Sequence, residues 1–287
     1  MSEAVVYLNG EYLPLAEARV PVLDRGFIFG DGVYEVIPAY GGKLFRLDEH
    51  LQRLQNSLDG IRIGNPCSSA QWQEILQQVL AQNPAEDSSV YLQVTRGVAR
   101  RDHAFPADAT PTVFVMANPL ITTDEQAFNR GAEAITLDDI RWLHCNIKAI
   151  ALLPNILMRQ QAIDEGAAEA ILIRDGEVTE GAASNVFIVS DNTIKTPPKG
   201  ARLLPGVTRD LIVELANSHG LPLQEVNFSK EELLRADEIW ISSSTKEIMP
   251  VVTLNHNAVG DGQPGAMARK LFAVFQEYKR MIRANAN

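Results

Sequence analysis

The sequence has little of what marks secreted, membrane or metal-binding proteins. It contains two cysteines in 287 residues, Cys67 and Cys145, too few for a disulfide framework and without metal-ligand spacing. No apolar run approaches the ~20 residues that span a bilayer. The first residues carry neither the basic nor the apolar region of a signal peptide. We therefore expect a cytoplasmic protein with no metal site and no membrane partner.

Basic residues are also scarce. The chain has 26 lysines and arginines against 36 acidic residues, a formal net charge of −10. Because a nucleic-acid partner requires basic surface to neutralise phosphates, this charge balance argues against such a partner. An anionic small molecule would have to be bound by a local group of cationic side chains instead.

Tight turns and alternating residues predict several strands. Asn9-Gly10 supplies the positive φ angles of a two-residue hairpin between residues 5–8 and 11–13. Asp175-Gly176 predicts a second hairpin of the same kind. The stretch from Asp24 to Gly32 carries three glycines, which is typical of a loop that turns sharply or lets backbone approach closely.

Helices follow from apolar residues at three- and four-residue spacing. Leu47, Leu51, Leu54 and Leu58 form one such stripe, which predicts a helix capped by Asp48, with Arg53 off the apolar face. A length of 287 residues predicts about two domains. We place an N-terminal domain at 1–118, a linker at 119–126 and a C-terminal domain at 127–287. Strands and helices together predict a mixed α+β or α/β fold.

One lysine lies inside an apolar run, the segment Asn146–Leu153. Burial disfavours the charged form of a lysine and lowers its pKa. A neutral amine is a nucleophile that attacks carbonyl carbons and forms Schiff bases. On this interpretation Lys148 is a catalytic amine. The alternative is a lysine on a half-buried strand that extends its ammonium group to water, and spacing alone favours that alternative.

Two segments have the chemistry of an anion site. Gly206–Thr208 opens a helix, and helix N-termini offer free N–H groups and a positive dipole end. Ser243–Thr245 adds hydroxyl groups directly after a strand. Thr208 as an ordinary N-cap and the serines as an ordinary turn are the competing explanations. Neither segment matches the glycine-lysine signature of a phosphate loop.

Three further side chains could complete a site. Glu180 is a carboxylate on a predicted strand. Arg101 and His103 lie two residues apart in an extended loop, so both can face one bound carboxylate. Solvated strand and loop residues are the competing explanation for all three. This set of groups is compatible with pyridoxal phosphate. It comprises an amine, donors for an anion, a carboxylate, and a second anion-binding pair, Arg101 and His103, which we call the trap.

Six stretches in this order resemble the class IV pyridoxal-phosphate aminotransferases, most of all the members that act on D-amino acids. They are Phe29–Glu35, Arg96–His103, the Lys148 segment, Glu180–Phe187, Leu204–Arg209 and Ser242–Glu247. The resemblance extends from Tyr7 to Val251. It implies the two-domain fold type IV, with a small N-terminal α/β domain and a larger, β-barrel-like C-terminal domain with helices.

The resemblance also implies how the cofactor pyridoxal 5′-phosphate is held. Lys148 would form the Schiff base and move a proton between the substrate Cα and the cofactor. Glu180 would pair with the pyridine nitrogen and keep it protonated. Leu204 would pack against the ring. The remaining implied contacts are to the phosphate group, from Arg53, Val207, Thr208, Ser244 and Thr245.

For the substrate, the resemblance implies that Tyr34, Arg101 and His103 bind the α-carboxylate. Arg101 and His103 would reach in from the neighbouring subunit of a homodimer. Their spacing matches members that transfer the amino group of a D-amino acid, such as D-alanine or D-glutamate, to 2-oxoglutarate or pyruvate.

Other functions stay open at this point. An L-branched-chain transaminase or an aminodeoxychorismate lyase would use the same fold, and a non-catalytic phosphate-binding protein would need only the two anion segments. Two departures bear on the choice. Ala182 and Ala183 stand where the D-specific members usually carry serines, and Pro205 replaces a more flexible residue.

Overall fold

The computed structural model describes residues 4–284, and packing divides them into two units. The first unit runs to Ile121 and also includes Ile147–Ala151 and the end of the last helix from Ile282. The second unit comprises Thr122–Asn146 and Leu152–Met281. Residues 147–151 of the Lys148 segment, which the domain prediction placed in the C-terminal domain, pack with the first unit.

The first unit is an antiparallel sheet with two longer helices, α2 and α3, and the short helix α1. Its sheet order is β2-β1-β6-β5-β3-β4. Helices α2 and α3 pack on the sheet and bury a core that includes Leu54, Leu58, Trp72, Val90 and Val115. The elements are β1 (Val5–Leu8), β2 (Glu11–Pro14), α1 (Arg25–Phe29), β3 (Gly32–Tyr40), β4 (Lys43–Leu44), α2 (Leu47–Gly60), α3 (Ser69–Gln82), β5 (Asp87–Thr95) and β6 (Thr112–Pro119).

Local signals in this unit are partly confirmed. Asn9 and Gly10 have φ angles of 51° and 104° and join β1 to β2, as the hairpin prediction requires. The glycine-rich stretch is not a loop, because it contains helix α1. The Asp24 carboxylate accepts a hydrogen bond from the Gly26 amide, and Gly30, with φ of 66°, ends the helix.

The start of α2 also differs from the prediction. Arg46, in the left-handed region at φ 48°, is the residue before the helix, and Asp48 lies inside the first turn rather than at the cap. Arg53, predicted to lie off the apolar stripe, is buried. The apolar stripe predicted the helix correctly but could not show that a carboxylate on β3 draws the arginine inwards.

The second unit is a mixed sheet with helices. Its sheet order is β12-β11-β10-β13-β14-β7-β8-β9, and β15 pairs with β14. The pairs β7–β8, β14–β7 and β11–β12 are parallel, and the other pairs are antiparallel. The elements are α4 (Glu125–Arg130), β7 (Ala132–Asp138), α5 (Leu153–Asp164), β8 (Glu169–Arg174), β9 (Glu177–Gly181), β10 (Asn185–Ser190), β11 (Thr193–Thr196), α6 (Val207–Ser218), β12 (Leu223–Glu225), α7 (Lys230–Leu234), β13 (Glu238–Ser243), β14 (Glu247–Leu254), β15 (Asn257–Ala258) and α8 (Ala266–Ala284).

The central strands β8, β10 and β13 are almost continuously apolar and buried, which is expected of strands covered on both faces. Within residues 4–284, no helix is long and apolar enough to cross a membrane. Over the same residues, no three His, Cys, Asp or Glu side chains group as a metal site requires. Cys67 and Cys145 are free thiols.

Candidate active site

The Lys148 segment is held at the start of strand β3 by main-chain hydrogen bonds. The Tyr34 amide donates to the Lys148 carbonyl at 3.0 Å, and the Ile150 amide donates to the Gly32 carbonyl at 3.1 Å. A Cβ on Gly32 would lie 2.6 Å from the Val94 carbonyl oxygen and 3.0 Å from the Ile150 side chain. Glycine at this position therefore makes room for the segment that carries the lysine.

Lys148 itself is half-buried and lies in an irregular segment rather than in a regular strand. Its amide donates to the Ser57 Oγ at 3.2 Å, which ties the segment to helix α2. Its Nζ lies 4.2 Å from the centroid of the Tyr34 ring. The structure thus brings together two residues predicted for the site, the amine and an aromatic side chain.

A buried charge cluster occupies the neighbouring part of the first unit. Glu35 accepts two hydrogen bonds from Arg53, at 2.8 Å and 2.7 Å, and its second oxygen lies 2.8 Å from the His50 Nδ1. All three side chains are buried. Arg53, predicted to bind the phosphate, is therefore oriented by a carboxylate that the sequence analysis did not single out.

The charges of this cluster are set by mutual contact. Burial alone would raise the pKa of Glu35, but the charge and hydrogen bonds of Arg53, with the His50 hydrogen bond, lower it well below its usual range. Burial lowers the pKa of His50, and this outweighs the opposing effect of Glu35. The cluster is thus an ionised carboxylate between an arginine and a neutral histidine.

The two residues predicted as a carboxylate trap converge on one aromatic ring. The Arg101 guanidinium carbon lies 5.4 Å from the Phe29 ring centroid, and the His103 ring lies 5.6 Å from the same centroid. Both side chains are exposed. Both side chains therefore lie beside the same residue of α1, and their binding of a carboxylate stays a prediction.

In the second unit, Glu180 lies on β9 and both of its carboxylate oxygens have donors. One oxygen pairs with Arg141. The other accepts from the Leu204 amide at 3.1 Å and from the Asn185 side-chain amide at 3.3 Å. Glu180 is buried, and the donors fix its orientation from three different segments.

Arg141 is in turn oriented by Asp139, which accepts from its Nε at 2.9 Å and its Nη2 at 2.8 Å. Burial would raise the pKa of Asp139, but hydrogen bonds from Arg141 lower it. Asp139 also accepts from the Thr179 hydroxyl at 2.9 Å. A carboxylate, an arginine and Glu180 therefore form a chain of alternating charge.

The N-terminus of α6 remains available to an anion. The helix begins at Val207 after Gly206, and no side chain within residues 4–284 caps its first turn. A Cβ on Gly206 would lie 2.1 Å from the Asn185 Oδ1, so glycine is needed for this close approach. Asn185 also donates to the Leu204 carbonyl at 2.9 Å. The same asparagine therefore links Glu180 to the approach to α6.

Ser244 and Thr245 lie in the turn between β13 and β14. The turn is fixed by the Lys246 amide, which donates to the Ser243 Oγ at 3.1 Å, and by the Lys246 Nζ, which lies 3.1 Å from the buried Glu169. Helix α6 packs against β13. Hydroxyl donors and an uncapped helix end thus belong to adjoining elements of one unit.

The two departures near Glu180 have different surroundings. Ala182 is buried among Met158, Ala162 and Ala167, and its carbonyl accepts from Asn155 at 2.8 Å. Ala183 is exposed. A serine at 182 would place a hydroxyl group in an apolar cluster, so alanine is consistent with its local packing.

These residues fit the chemistry of pyridoxal phosphate. The phosphate requires N–H and hydroxyl donors, which the start of α6 and the turn at Ser244 and Thr245 could provide. The pyridine nitrogen requires a fixed carboxylate, which Glu180 could provide. Within the described part of the chain, the buried Ser242 Oγ, next to this turn, has no hydrogen-bond partner.

The sequence profile of the amino-transferase class IV family matches residues 32–254, which include Lys148 and Glu180. The chain belongs to the class IV aminotransferases. The D-alanine aminotransferase of Bacillus licheniformis is 42% identical over 271 residues, covering 94% of this chain and 95% of that protein. This confirms the resemblance seen in the six motifs and the predicted enzyme class.

Solved structures of aminotransferases have the same fold as this chain. The branched-chain amino acid aminotransferase of Escherichia coli superposes with a TM-score of 0.91 at 28% identity, covering 96% of this chain and 94% of that one. A hypothetical aminotransferase from Mycobacterium tuberculosis, solved in its PLP-bound form, gives 0.82 at 25% identity, covering 95% and 98%. The predicted fold type IV is therefore confirmed.

Several residues of the site were missed from the sequence. Glu35 ends the Phe29–Glu35 motif and His50 lies in the helix predicted from the leucine stripe. Charged residues on a strand or a helix are ordinarily exposed to solvent, so neither stood out. Arg141 lies 39 positions from Glu180. A carboxylate flanked by apolar neighbours on a central strand was the one available signal for Glu35.

Proposed function

We propose that this class IV aminotransferase moves the amino group of a D-amino acid of the D-alanine type to a 2-oxo acid, using pyridoxal 5′-phosphate. When bound, the cofactor supplies an aldehyde carbon that takes up the amino group and a ring that withdraws electrons from the substrate. The observation that carries the choice of substrate is the convergence of Arg101 and His103 on Phe29. The identity to a D-alanine aminotransferase supports it.

Lys148 is the nucleophilic amine and the proton carrier. Its main chain is bonded to β3 and α2, so the side chain starts from a fixed position. Its Nζ lies above the Tyr34 ring, and this places it beside a residue proposed to bind substrate. With the cofactor bound, Lys148 would accept the proton from the substrate Cα and hold it for return.

Glu180 binds the pyridine nitrogen and holds a proton there. Its carboxylate cannot rotate without breaking bonds to Arg141, Asn185 or the Leu204 amide. Leu204 then packs against the ring. The proposed phosphate contacts come from Arg53, Val207, Thr208, Ser244 and Thr245.

Arg101, His103 and Tyr34 bind the α-carboxylate of the substrate. A guanidinium–carboxylate pair is planar and bidentate, so it fixes orientation as well as charge. Because Lys148 acts as a base from one position, the placement of the carboxylate decides which hydrogen on Cα faces the amine. Arg101, His103 and Tyr34 would therefore select one enantiomer, and the identity to a D-alanine aminotransferase supports the D-enantiomer.

Arg101 and His103 act on the site of the partner in a homodimer. The surface around them is apolar and exposed: Val22 is 71% and Phe27 is 76% exposed, and Phe105 lies on the same loop as the trap. The Ala99 amide donates to the Leu23 carbonyl, so the two segments form one face. A contiguous apolar face of this kind is typical of an interaction surface.

The substrate assignment is tested with a panel of amino acids and 2-oxoglutarate. D-Alanine is expected to yield pyruvate, and L-leucine and L-valine are not expected to react. Arg101→Ala is expected to raise the KM for D-alanine roughly tenfold to hundredfold, because a charged hydrogen-bond pair is lost. Cofactor binding, measured by absorbance during dialysis, should change little.

The action in trans is tested by subunit mixing. Lys148→Ala lacks the amine and Arg101→Ala lacks the trap, so each alone is nearly inactive at low D-alanine. In a mixed dimer, one site receives Lys148 from one chain and Arg101 from the other. An equimolar mixture should therefore recover about a quarter of the original activity. No recovery after subunit exchange would show that the trap acts within its own chain.

The second candidate is an L-branched-chain transaminase, which is the activity named for the Escherichia coli structure. It predicts turnover of L-leucine and L-valine and none of D-alanine. The aminodeoxychorismate lyase alternative predicts pyruvate release without an amino acceptor.

A further inference from the structure

We propose that Arg25 and Asp31 are positioning residues that lock the 96–105 loop, the segment from Arg96 to Phe105, in the conformation that presents Arg101 and His103. The inference rests on the proposed carboxylate-binding role of those two residues. Arg25 and Asp31 touch neither substrate nor cofactor in this account. They act through the main chain of the loop.

Arg25 contacts the loop on both sides of His103. Its Nη1 donates to the Asp102 carbonyl at 2.6 Å and to the Ala104 carbonyl at 3.4 Å. Main-chain carbonyls at 102 and 104 are thus fixed by one guanidinium, and the residue between them is fixed with them. The Arg25 guanidinium carbon also lies 4.8 Å from the Phe29 ring centroid. Arg25 therefore holds the loop against the ring on which Arg101 and His103 converge.

Asp31 orients Arg25 and fixes the start of the loop. Its carboxylate accepts from the Arg25 Nε at 2.7 Å and from Arg96 at 2.8 Å and 2.9 Å. Burial would raise the pKa of Asp31, but hydrogen bonds from Arg96 and Arg25 lower it. One carboxylate thus binds two arginines. Arg96 is the first residue of the loop, and Arg25 contacts the loop at residues 102 and 104.

Arg96 clamps the loop from its first residue. It donates to the Arg62 carbonyl at 3.1 Å and to the Ile61 carbonyl at 2.7 Å, at the end of α2. Its guanidinium carbon lies 3.7 Å from the Phe105 ring centroid. The first and last residues of the loop are therefore in contact, and the loop is closed on itself.

Hydrogen bonds to the Asp24 side chain and from the Arg25 main chain also hold the loop in place. Asp24 accepts from the hydroxyls of Thr95 at 3.0 Å and Thr112 at 2.7 Å, the last residue of β5 and the first residue of β6, between which the loop lies. The Arg25 amide donates to the Gly97 carbonyl at 2.9 Å. A loop held in this way enters the complex already ordered, so substrate binding does not have to order it.

The experiment compares Arg25→Met, Arg25→Lys and Asp31→Asn with Arg100→Met. Arg100 is exposed and adjacent to Arg101, so its replacement removes the same charge near the trap without touching the anchor. Each holoenzyme is measured for kcat and KM with D-alanine, for retention of pyridoxal phosphate, for sedimentation, and for hydrogen exchange of the amides of Ala99 and Ala104.

Arg25→Met is expected to raise the KM for D-alanine roughly tenfold to hundredfold and to speed exchange at Ala99 and Ala104 by a similar factor. Cofactor retention and the dimer should be kept. Arg25→Lys keeps the charge opposite Asp31 with fewer donors, so its KM and exchange rates should fall between those of the wild type and Arg25→Met. Asp31→Asn removes the charge that both arginines share, so its KM should rise at least as far as that of Arg25→Met. Arg100→Met should change KM less than about threefold.

Two results would overturn the inference. If Arg25→Met and Arg25→Lys both show the same KM for D-alanine and the same amide exchange rates as Arg100→Met, then the contacts of Arg25 do not order the loop. If cofactor retention falls as much as KM rises, the effect is not on the loop alone. Arg101→Ala separates the two hypotheses: an unchanged KM there refutes the trap and this inference together, whereas a raised KM there with an unchanged KM in Arg25→Met refutes only the anchor.

Discussion

Replacing Glu35 by glutamine is the sharpest structural perturbation of the first unit. The change keeps the shape of the side chain and removes the charge that compensates Arg53. Both residues are buried, and removing one partner of a buried ion pair costs about 3–5 kcal/mol, because the other charge is left uncompensated. We therefore expect the free energy of unfolding of Glu35→Gln to fall by about that amount.

The matched control is Glu49→Gln, which removes a carboxylate from helix α2 in the same unit. Glu49 is exposed and pairs with Arg46 at 2.6 Å, and exposed pairs contribute about 0–1 kcal/mol. Urea unfolding of the cofactor-free protein, followed by tryptophan fluorescence, gives both values. Trp72, fully buried in this unit, contributes to the signal together with Trp142 and Trp240 of the second unit.

The double variant Glu35→Gln/Arg53→Met distinguishes an uncompensated charge from simple loss of packing. Because it removes both charges, it should recover much of the stability lost by Glu35→Gln. The reasoning is refuted if Glu35→Gln costs no more than Glu49→Gln. It is also refuted if removing Arg53 as well makes the protein still less stable.

Two further predictions concern pH and backbone space. The pKa values of Glu35 and Asp31 are lower in the folded protein than in the unfolded chain, so their stabilisation is complete above the unfolded-state values and is lost as pH falls below about 5. Glu35→Gln should flatten the acid side of a stability–pH curve measured by urea unfolding, and an unchanged slope would contradict this assignment. Gly206→Ala should weaken cofactor binding roughly tenfold, because its Cβ displaces Asn185 from Glu180. Gly200→Ala, where a Cβ meets nothing within 4 Å, is the control in the same dialysis measurement, and equal effects of both changes would count against the role of Asn185.

Local features of the fold were readable from the sequence because they depend on neighbouring residues. The Asn9-Gly10 hairpin and the leucine stripe of α2 were predicted from turn chemistry and helical spacing, and both are present. Helix α1 was missed because five residues are too few for an apolar period. The sequence features that mark this helix are Asp24, whose carboxylate caps it, and Gly30, which ends it in the left-handed conformation.

In the candidate site too, some residues could be predicted from their sequence neighbours and others could not. Residues with distinctive neighbours, such as Lys148 in its apolar run and Glu180 before a small-residue stretch, were found by motif. The partners that orient them were not, because Glu35 with Arg53 and Arg141 with Glu180 meet only through the tertiary fold. Arg53 was placed off the apolar stripe and its burial was not predicted, since helical spacing carries no information about a carboxylate 18 residues earlier.

The central claim is that Lys148 is the amine that carries the cofactor. Reduction of the protein with borohydride followed by proteolysis and mass spectrometry tests it directly. A pyridoxyl adduct is expected on the peptide that contains Lys148 and should be lost in Lys148→Ala. An adduct confined to another lysine, such as Lys246, or no adduct at all, would show that Lys148 does not carry the cofactor.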